Sequence, residues 1–409
     1  MLLSVCIFGC ILLLAFDFYY FKDLKTPTFM YGFVWLIVYL SLLPQQYDFI
    51  QYNPLLPSFL ISFVLFFFGF YIICSKIPYL PNIPNQFNLE WNPITKKIVF
   101  IVEYILAIII FISCYNVISI SQFSAWQAVR QGMAEEDIFP VWMYIAINPV
   151  RIIFFVSCAL YLYTPNKENR NALLLATPPI ILTGLFTARG DWFFIIITLV
   201  YMAMYIKSFS NKRIVSIGII SFVLLMVIFI ISSLDKYKTS YVYMNDLEKL
   251  QWVFSGYFIS PISNFFDWFY NHPDYAYGKY TFRFLFAVLS SLFPDIEVVE
   301  TLLEFRYTSN GTHSNVYTSL NWLARDFGIW WAFLVQFFLG LFYGYFYKRY
   351  KRKDSVHLIT LIALCMLMTP IATNFFDDIL FSNMSNWIQR LLFLYILVKT
   401  SVVSKNRPI

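Results

Sequence analysis

The chain is poor in charge, and the few arginines, acids and histidines it carries are the residues whose types could do chemistry. Thr187-Ala188-Arg189-Gly190-Asp191 joins two apolar runs. A guanidinium grips phosphate through two parallel N–H donors, and the adjoining glycine lets backbone come close to a ligand. On the residues alone, a solvated turn with Asp191 capping the next helix stands level with that reading. Arg151 lies near the middle of an apolar run, beside Pro149. A charge at membrane depth is costly and points by default to a functional site facing a bundle interior. The alternative is an ion pair, for which Glu103, close to the end of another run, is a poor depth match.

Lys279, Arg283 and Arg306 belong to one long stretch, 234–318, that is polar in places and dense in aromatics. Some of these cations are ordinary solvated or snorkelling side chains. Of Arg283 and Arg306, one rather than both is the expected ligand. His313, in Thr312-His313-Ser314-Asn315, could take a proton from a hydroxyl. Before any family is considered, a hydrogen-bonded loop residue is the stronger reading. His272, in Asn271-His272-Pro273-Asp274, reads as a turn residue, and His357 receives no role. Asp326 reads as a helix cap and Asp377-Asp378 as a solvated loop.

The elements that must position these residues follow from composition. The chain is 60% hydrophobic and 13% charged, with a mean hydropathy of +0.66. Repeated long apolar runs at this composition indicate an all-α polytopic membrane protein. The runs fall at 2–19, 29–43, 56–75, 98–120, 140–163, 171–187, 192–206, 214–233, 327–347, 356–375 and 387–403, which predicts about 11 transmembrane helices. Pro178-Pro179 is expected to kink or break the sixth run. The six cysteines lie in apolar runs without metal-like spacing, so no metal or cofactor is expected. The net charge of +6 does not point to nucleic acid, because most lysines and arginines sit in short loops. No repeat or linker interrupts the chain, which reads as one integral membrane domain over 1–409. No basic residue precedes the first run, so no signal peptide is expected.

Loop charge alternates. Lys22 and Lys25, then Lys76, Lys96 and Lys97, then Lys167 and Arg170, then Lys207, Lys212 and Arg213, then 348–353, follow alternate runs. The loops at 44–55 and 376–386 contain no lysine or arginine. By the positive-inside rule the N-terminus is extracytoplasmic, the C-terminus cytoplasmic, and 234–318 a large extracytoplasmic loop. Its helical pieces are expected at Trp252–Tyr270, interrupted by Pro261, and at Tyr280–Phe293, the latter interfacial or re-entrant.

Three pieces of sequence resemble the O-antigen and capsule repeat-unit polymerases of the bacterial inner membrane. They are Leu182-Thr183-Gly184 through Ala188-Arg189-Gly190; Tyr277-Gly278 followed by an apolar helix ending at Phe293-Pro294; and Asn315 to Gly328 with Asp326-Phe327-Gly328, then Gly340 and Gly344. The resemblance implies transfer of a growing glycan from one undecaprenyl pyrophosphate to another lipid-linked repeat unit on the periplasmic face. It implies that Arg189, with Arg306 or Arg283, holds the pyrophosphate, and that His313 is the general base, with Asp191 as substitute. The bilayer, a chain-length regulator and a flippase are the implied partners. A related O-antigen ligase, with a histidine at a similar late-loop position, and a lipid-linked glycan flippase are the alternatives.

Overall fold

The computed structural model describes residues 1–75, 89–120, 128–129, 139–185, 189–207, 209–237, 245–271, 275–300, 303–304, 306–307, 313–352 and 357–404. Its helices are α1 (Leu2–Phe21), α2 (Pro27–Ser41), α3 (Pro57–Cys74), α4 (Pro93–Ile120), α5 (Val141–Tyr163), α6 (Lys167–Leu182), α7 (Arg189–Ile206) and α8 (Asn211–Tyr237). They continue as α9 (Asp246–Phe254), α10 (Ser260–Asn271), α11 (Arg283–Leu292), α12 (Ser319–Phe327), α13 (Ile329–Arg352), α14 (His357–Thr373) and α15 (Met384–Ser401). Four short strands accompany them: β1 (Leu89–Trp91), β2 (Arg306–Tyr307), β3 (His313–Ser314) and β4 (Val402–Ser404). Each apolar run read from the sequence falls on a helix. Among the described residues, five helices are long and apolar enough to cross a membrane: Leu2–Phe21, Pro57–Cys74, Pro93–Ile120, Trp142–Tyr163 and Ile329–Lys351.

The chain packs as two units built from interleaved segments: 1–79, 246–351 and 370–385 in one, and 80–245, 352–369 and 386–409 in the other. In the first unit, α2 starts because Thr26 accepts a hydrogen bond from the Phe29 N–H and Pro27 presets the first turn. Its aromatic residues stack on α3, Trp35 on Phe59 at 4.4 Å and Tyr31 on Phe66 at 4.8 Å between centroids. Helix α13 crosses α3 at glycines. A Cβ on Gly340 would collide with the Phe66 carbonyl and one on Gly69 with the Phe337 carbonyl, while one on Gly344 would sit 3.1 Å from the Phe70 oxygen. Small residues four apart let two helix backbones touch in this way.

The described part of the long stretch from residue 246 onward, the cap, belongs to this unit and packs against the start of α3 and the segment before it. Phe265 packs on Phe59, the Tyr47 and Ser255 hydroxyls are 3.0 Å apart, and the Tyr270 hydroxyl donates to Asn53. Phe258 stacks on Phe375. The lysine-free and arginine-free loops therefore gather around the cap. At the far ends of α1 and α13, Asp23 pairs with Lys351 at 2.7 Å and accepts the Tyr347 hydroxyl. Lys25, read from the sequence as a simple loop cation, is buried beside Asp23.

Neither proline site ends its helix. Pro261 does not interrupt its helix: residues Ser255–Ile259 form a π turn between α9 and α10, and Pro261 continues it. The Ser260 N–H reaches back to the Ser255 carbonyl. The next carbonyl, Gly256, finds no donor on proline and accepts the Ser314 hydroxyl instead at 3.3 Å. Pro178 and Pro179 lie inside α6 without ending it; the helix reaches Leu182 and tightens into a 3₁₀ turn over Thr183–Leu185. The Thr183 hydroxyl takes the Pro179 carbonyl.

In the second unit α4, α5, α6 and α7 pack together, and β1 pairs antiparallel with β4. Asn169 ties this end of the unit down, its amide donating to the carbonyls of Leu89 and Thr164, each at 2.9 Å.

Candidate functional site

The cap holds the first group of charged residues. Strands β2 and β3 form an antiparallel ribbon that sets Arg306 opposite Ser314 and Tyr307 opposite His313. Two sequence candidates, Arg306 and His313, thus lie on paired strands, offset by one register position. The His313 side chain, His272, and residues 308–312 lie outside the described residues. Arg306 is not a free cation. It pairs with Asp267 and with Glu304 at 3.2 Å. Glu304 also receives both arms of Arg325, at 2.9 and 3.2 Å, while the Arg325 Nε donates to Asn321 at 2.8 Å. The Arg325 guanidinium lies over the rings of Tyr317, Trp268 and Tyr280 at 4.8–5.6 Å. Such a boxed guanidinium holds the cap together through cation–π contact and a bidentate fork.

Burial alone pushes the Glu304 carboxyl up, but the hydrogen bonds and charge of Arg325 outweigh it and hold it below the usual range. Burial, then the Glu304 charge, pushes the Tyr317 phenol up to about 12. A carboxylate whose folded value is lowered contributes stability above its unfolded pKa and loses it as pH falls through the folded value. Amide protection of the Tyr317–Arg325 segment is therefore expected to stay flat from neutral pH down to about pH 4.5 and to fall below it. Hydrogen exchange measured against pH checks this, and Glu304→Gln should remove the slope.

The other loop candidates are also engaged. Lys279 pairs with exposed Glu297 at 2.6 Å and lowers that carboxyl. The Arg283 Nε donates to the Val299 carbonyl at 2.8 Å and opens α11, a helix of 10 residues with none buried. It is too short to span a bilayer.

Two of the three sequence pieces that carry the family resemblance meet in this unit. The Asp326 carboxylate, fully buried, accepts the N–H groups of Tyr280 and Thr281 at 2.9 and 2.5 Å. The carbonyls of Arg325 and Asp326 accept the N–H groups of Ala276 and Tyr277. Tyr277 and Gly278 take positive φ, +51° and +91°, and Gly278 lies against Phe327. Gly328, at φ +82°, ends α12, where an added Cβ would sit 3.1 Å from the Tyr275 hydroxyl. Asp326 therefore caps the 276–281 turn, not the helix that follows it. Two charge-assisted bonds at about 1.5–3 kcal/mol each make Asp326→Ala costly. Expected in that variant is selective loss of amide protection at Tyr280 and Thr281 by hydrogen exchange.

Asp377-Asp378 is not a solvated loop. Asp378 is 5% exposed and accepts the Phe381 N–H at 3.2 Å. Burial pushes Asp378 up to about 7 and Asp377 up to about 6.

The second unit holds a cluster of buried arginines. Arg151, on α5, is 3% exposed and lies over the Phe194 ring at 6.0 Å. Arg390, on α15, is 7% exposed and lies over the same ring at 4.3 Å and over Trp387 at 5.1 Å. Its Nε donates to Asn148 at 3.0 Å, and the Asn148 amide donates in turn to Gln389 and Asn386. Phe194 stands on α7, the helix that opens with Arg189-Gly190-Asp191. The side chains of Arg189 and Asp191 lie outside the described residues, as do Thr187 and Ala188. Two guanidiniums at one ring repel each other, and an anion between them relieves that repulsion. Glu103, set aside above as a partner for Arg151, is buried with neither oxygen hydrogen-bonded among the described residues. Sequence reasoning missed Arg390, although the rule that marked Arg151 applies equally to an arginine inside the run 387–403. Glu304, Asn148 and the boxed Arg325 were also missed; no local pattern marks them.

No group of three or more histidine, cysteine or acidic residues able to hold a metal occurs among the described residues. Comparison of the chain with family models, curated proteins and solved structures finds no match.

Proposed function

We propose that the chain polymerises lipid-linked oligosaccharide repeat units at a bacterial inner membrane, as an O-antigen or capsule polymerase with about 11 spans, its N-terminus and cap on the periplasmic side. The observation that supports this most is that Arg151 and Arg390, from two other helices, both lie at the Phe194 ring of the helix that opens with Arg189-Gly190. A polyprenyl diphosphate is a dianionic group carried at membrane depth, and arginine forks are the side chains suited to it. In this reading, Arg151, Arg390 and Arg189 bind the diphosphate of the donor. The acceptor sugar's hydroxyl oxygen attacks the donor's anomeric carbon and loses its proton to a base, the role that the family resemblance gives to His313 or, as substitute, Asp191. The anomeric C–O bond to the diphosphate breaks, and undecaprenyl diphosphate leaves with the electron pair, its charge met by the arginines. Arg306, Arg325 and Lys279, each ion-paired within the cap, and Arg283, which donates to the Val299 carbonyl, hold the cap's shape in this account.

The test is purified chain in lipid with an undecaprenyl-diphosphate-linked repeat unit and no nucleotide sugar. A ladder of products with release of undecaprenyl diphosphate is expected. An unchanged substrate, or transfer only when a lipid A-core acceptor is added, contradicts the polymerase reading, and the latter result identifies a ligase.

A further inference from the structure

The first unit contains a small cavity of about 30 Å³, partly open to solvent, beneath the loop that follows α14. Its polar lining comes from Tyr31, Ser319, Gln336, Tyr343, Asn374 and Asp378, with no lysine or arginine in the wall. Those polar residues are all at least nine-tenths buried. Two features of the lining are unresolved by the protein itself. The Asn374 side-chain oxygen is buried without a hydrogen-bond donor. Asp378 has no cationic partner among the described residues, and Asp377 adjoins it. The Tyr31 hydroxyl and the Gln336 oxygen lie 3.4 Å apart, a contact too long to engage either oxygen fully. Asn374 is held in place because its carbonyl accepts the Ser319 N–H at 2.9 Å. The last turn of α14 ends at Thr373, directly before Asn374, so the negative end of a helix faces this region.

We propose that this cavity binds one dehydrated monovalent cation of sodium size, held by Asp378, the Asn374 oxygen and neighbouring oxygens of Gln336, Tyr31 or Ser319. The chemistry selects that ligand. Oxygen acceptors with a single carboxylate suit a hard monovalent ion, and a divalent ion takes more charge and more ligands. The enclosed part of the cavity admits a body of about water size, which excludes a sugar or a nucleotide. A cation meets the orphaned Asn374 oxygen and compensates the Asp378 charge at once, whereas a water can donate to both oxygens but leaves that charge uncompensated. Helix C-terminal ends in broken or terminating membrane helices are suited to such ions. The inference does not rest on the polymerase reading, and either can fail alone.

The test uses the full chain in lipid nanodiscs at pH 8, with sodium, potassium and choline chloride at equal ionic strength. Radioactive sodium should be retained saturably by the wild type, and the thermal midpoint should rise with sodium but not with choline. Asp378→Asn should abolish retention, and Asn374→Ala should weaken it about tenfold or more. No retention by the wild type, or equal midpoints in sodium and choline, overturns the proposal; a midpoint that then moves with pH alone assigns the site to a proton. Wild-type retention in Asp378→Asn equally overturns it. The wild-type binding measurement stands even where a variant fails to fold.

Discussion

Arg390→Ala and Arg151→Ala should each stop polymer growth while the protein remains inserted and expressed. Both guanidiniums lie at the Phe194 ring and are almost wholly buried, so neither is a solvated surface charge. Removing one preorganised donor from a developing negative charge costs about 10²–10³ in rate. Loss on that scale turns a polysaccharide ladder into a faint short product. Arg390→Lys keeps the charge and loses the planar fork that lies over Phe194 and Trp387 and reaches Asn148. It should fall between wild type and alanine, and the double alanine variant should be little worse than either single, because residues that act on one group do not add. Arg189→Ala should match them. The checks are polymer length and protein amount in the same membranes. Wild-type length in Arg390→Ala at matched expression removes this cluster from the chemistry.

The second large effect lies in packing. Gly340→Leu should prevent the first unit from assembling, and Gly69→Leu should do the same from the opposite helix. At each position even a Cβ would collide with a backbone carbonyl of the facing helix, and a carbonyl on a helix cannot swing aside as a side-chain tip can. Overpacking of this kind costs about 1–3 kcal/mol or more. Alanine at Gly340 should therefore lower the thermal midpoint of the purified protein, and leucine should leave little folded protein to measure. Gly344→Ala meets its neighbours at 3.0–3.1 Å and should be milder. Gly218, which has open space around it, should accept alanine without loss and serves as the control. Size-exclusion profiles and thermal midpoints in detergent report the order expected: Gly218, Gly344, Gly340.

The helices were legible because apolar runs of this length leave few alternatives, and each run in the sequence falls on a helix. The cap was legible as a unit with aromatic helices, since its Phe and Trp residues had to be buried somewhere. Its internal wiring was not. Pro261 reads as a break when only propensity is considered; the π turn before it becomes favourable because Ser314, over 50 residues away, takes the freed Gly256 carbonyl. The ion pairs of Arg306 with Asp267 and Glu304 were not legible, because Asp267 is distant and Glu304 unremarkable in sequence. Asp378 read as solvated because two adjacent acids in a loop normally are, and only the three-dimensional wall around the cavity buries it. Asp326 was recognised as a cap, but which turn it caps depends on a contact across 45 residues. Charges inside apolar runs remain the most readable signal: the rule that marked Arg151 extends to Arg390, and the structure brings the two to one ring.

The measurement that bears most directly on the account is the surface-polysaccharide ladder of cells deleted for this gene. Polymerisation predicts collapse of the ladder to lipid A-core carrying a single repeat unit, because ligation and export continue. Restoration of the full ladder by the wild-type gene, and not by Arg390→Ala, completes the prediction. An intact ladder in the deleted strain, or loss of every repeat unit from the core, contradicts it.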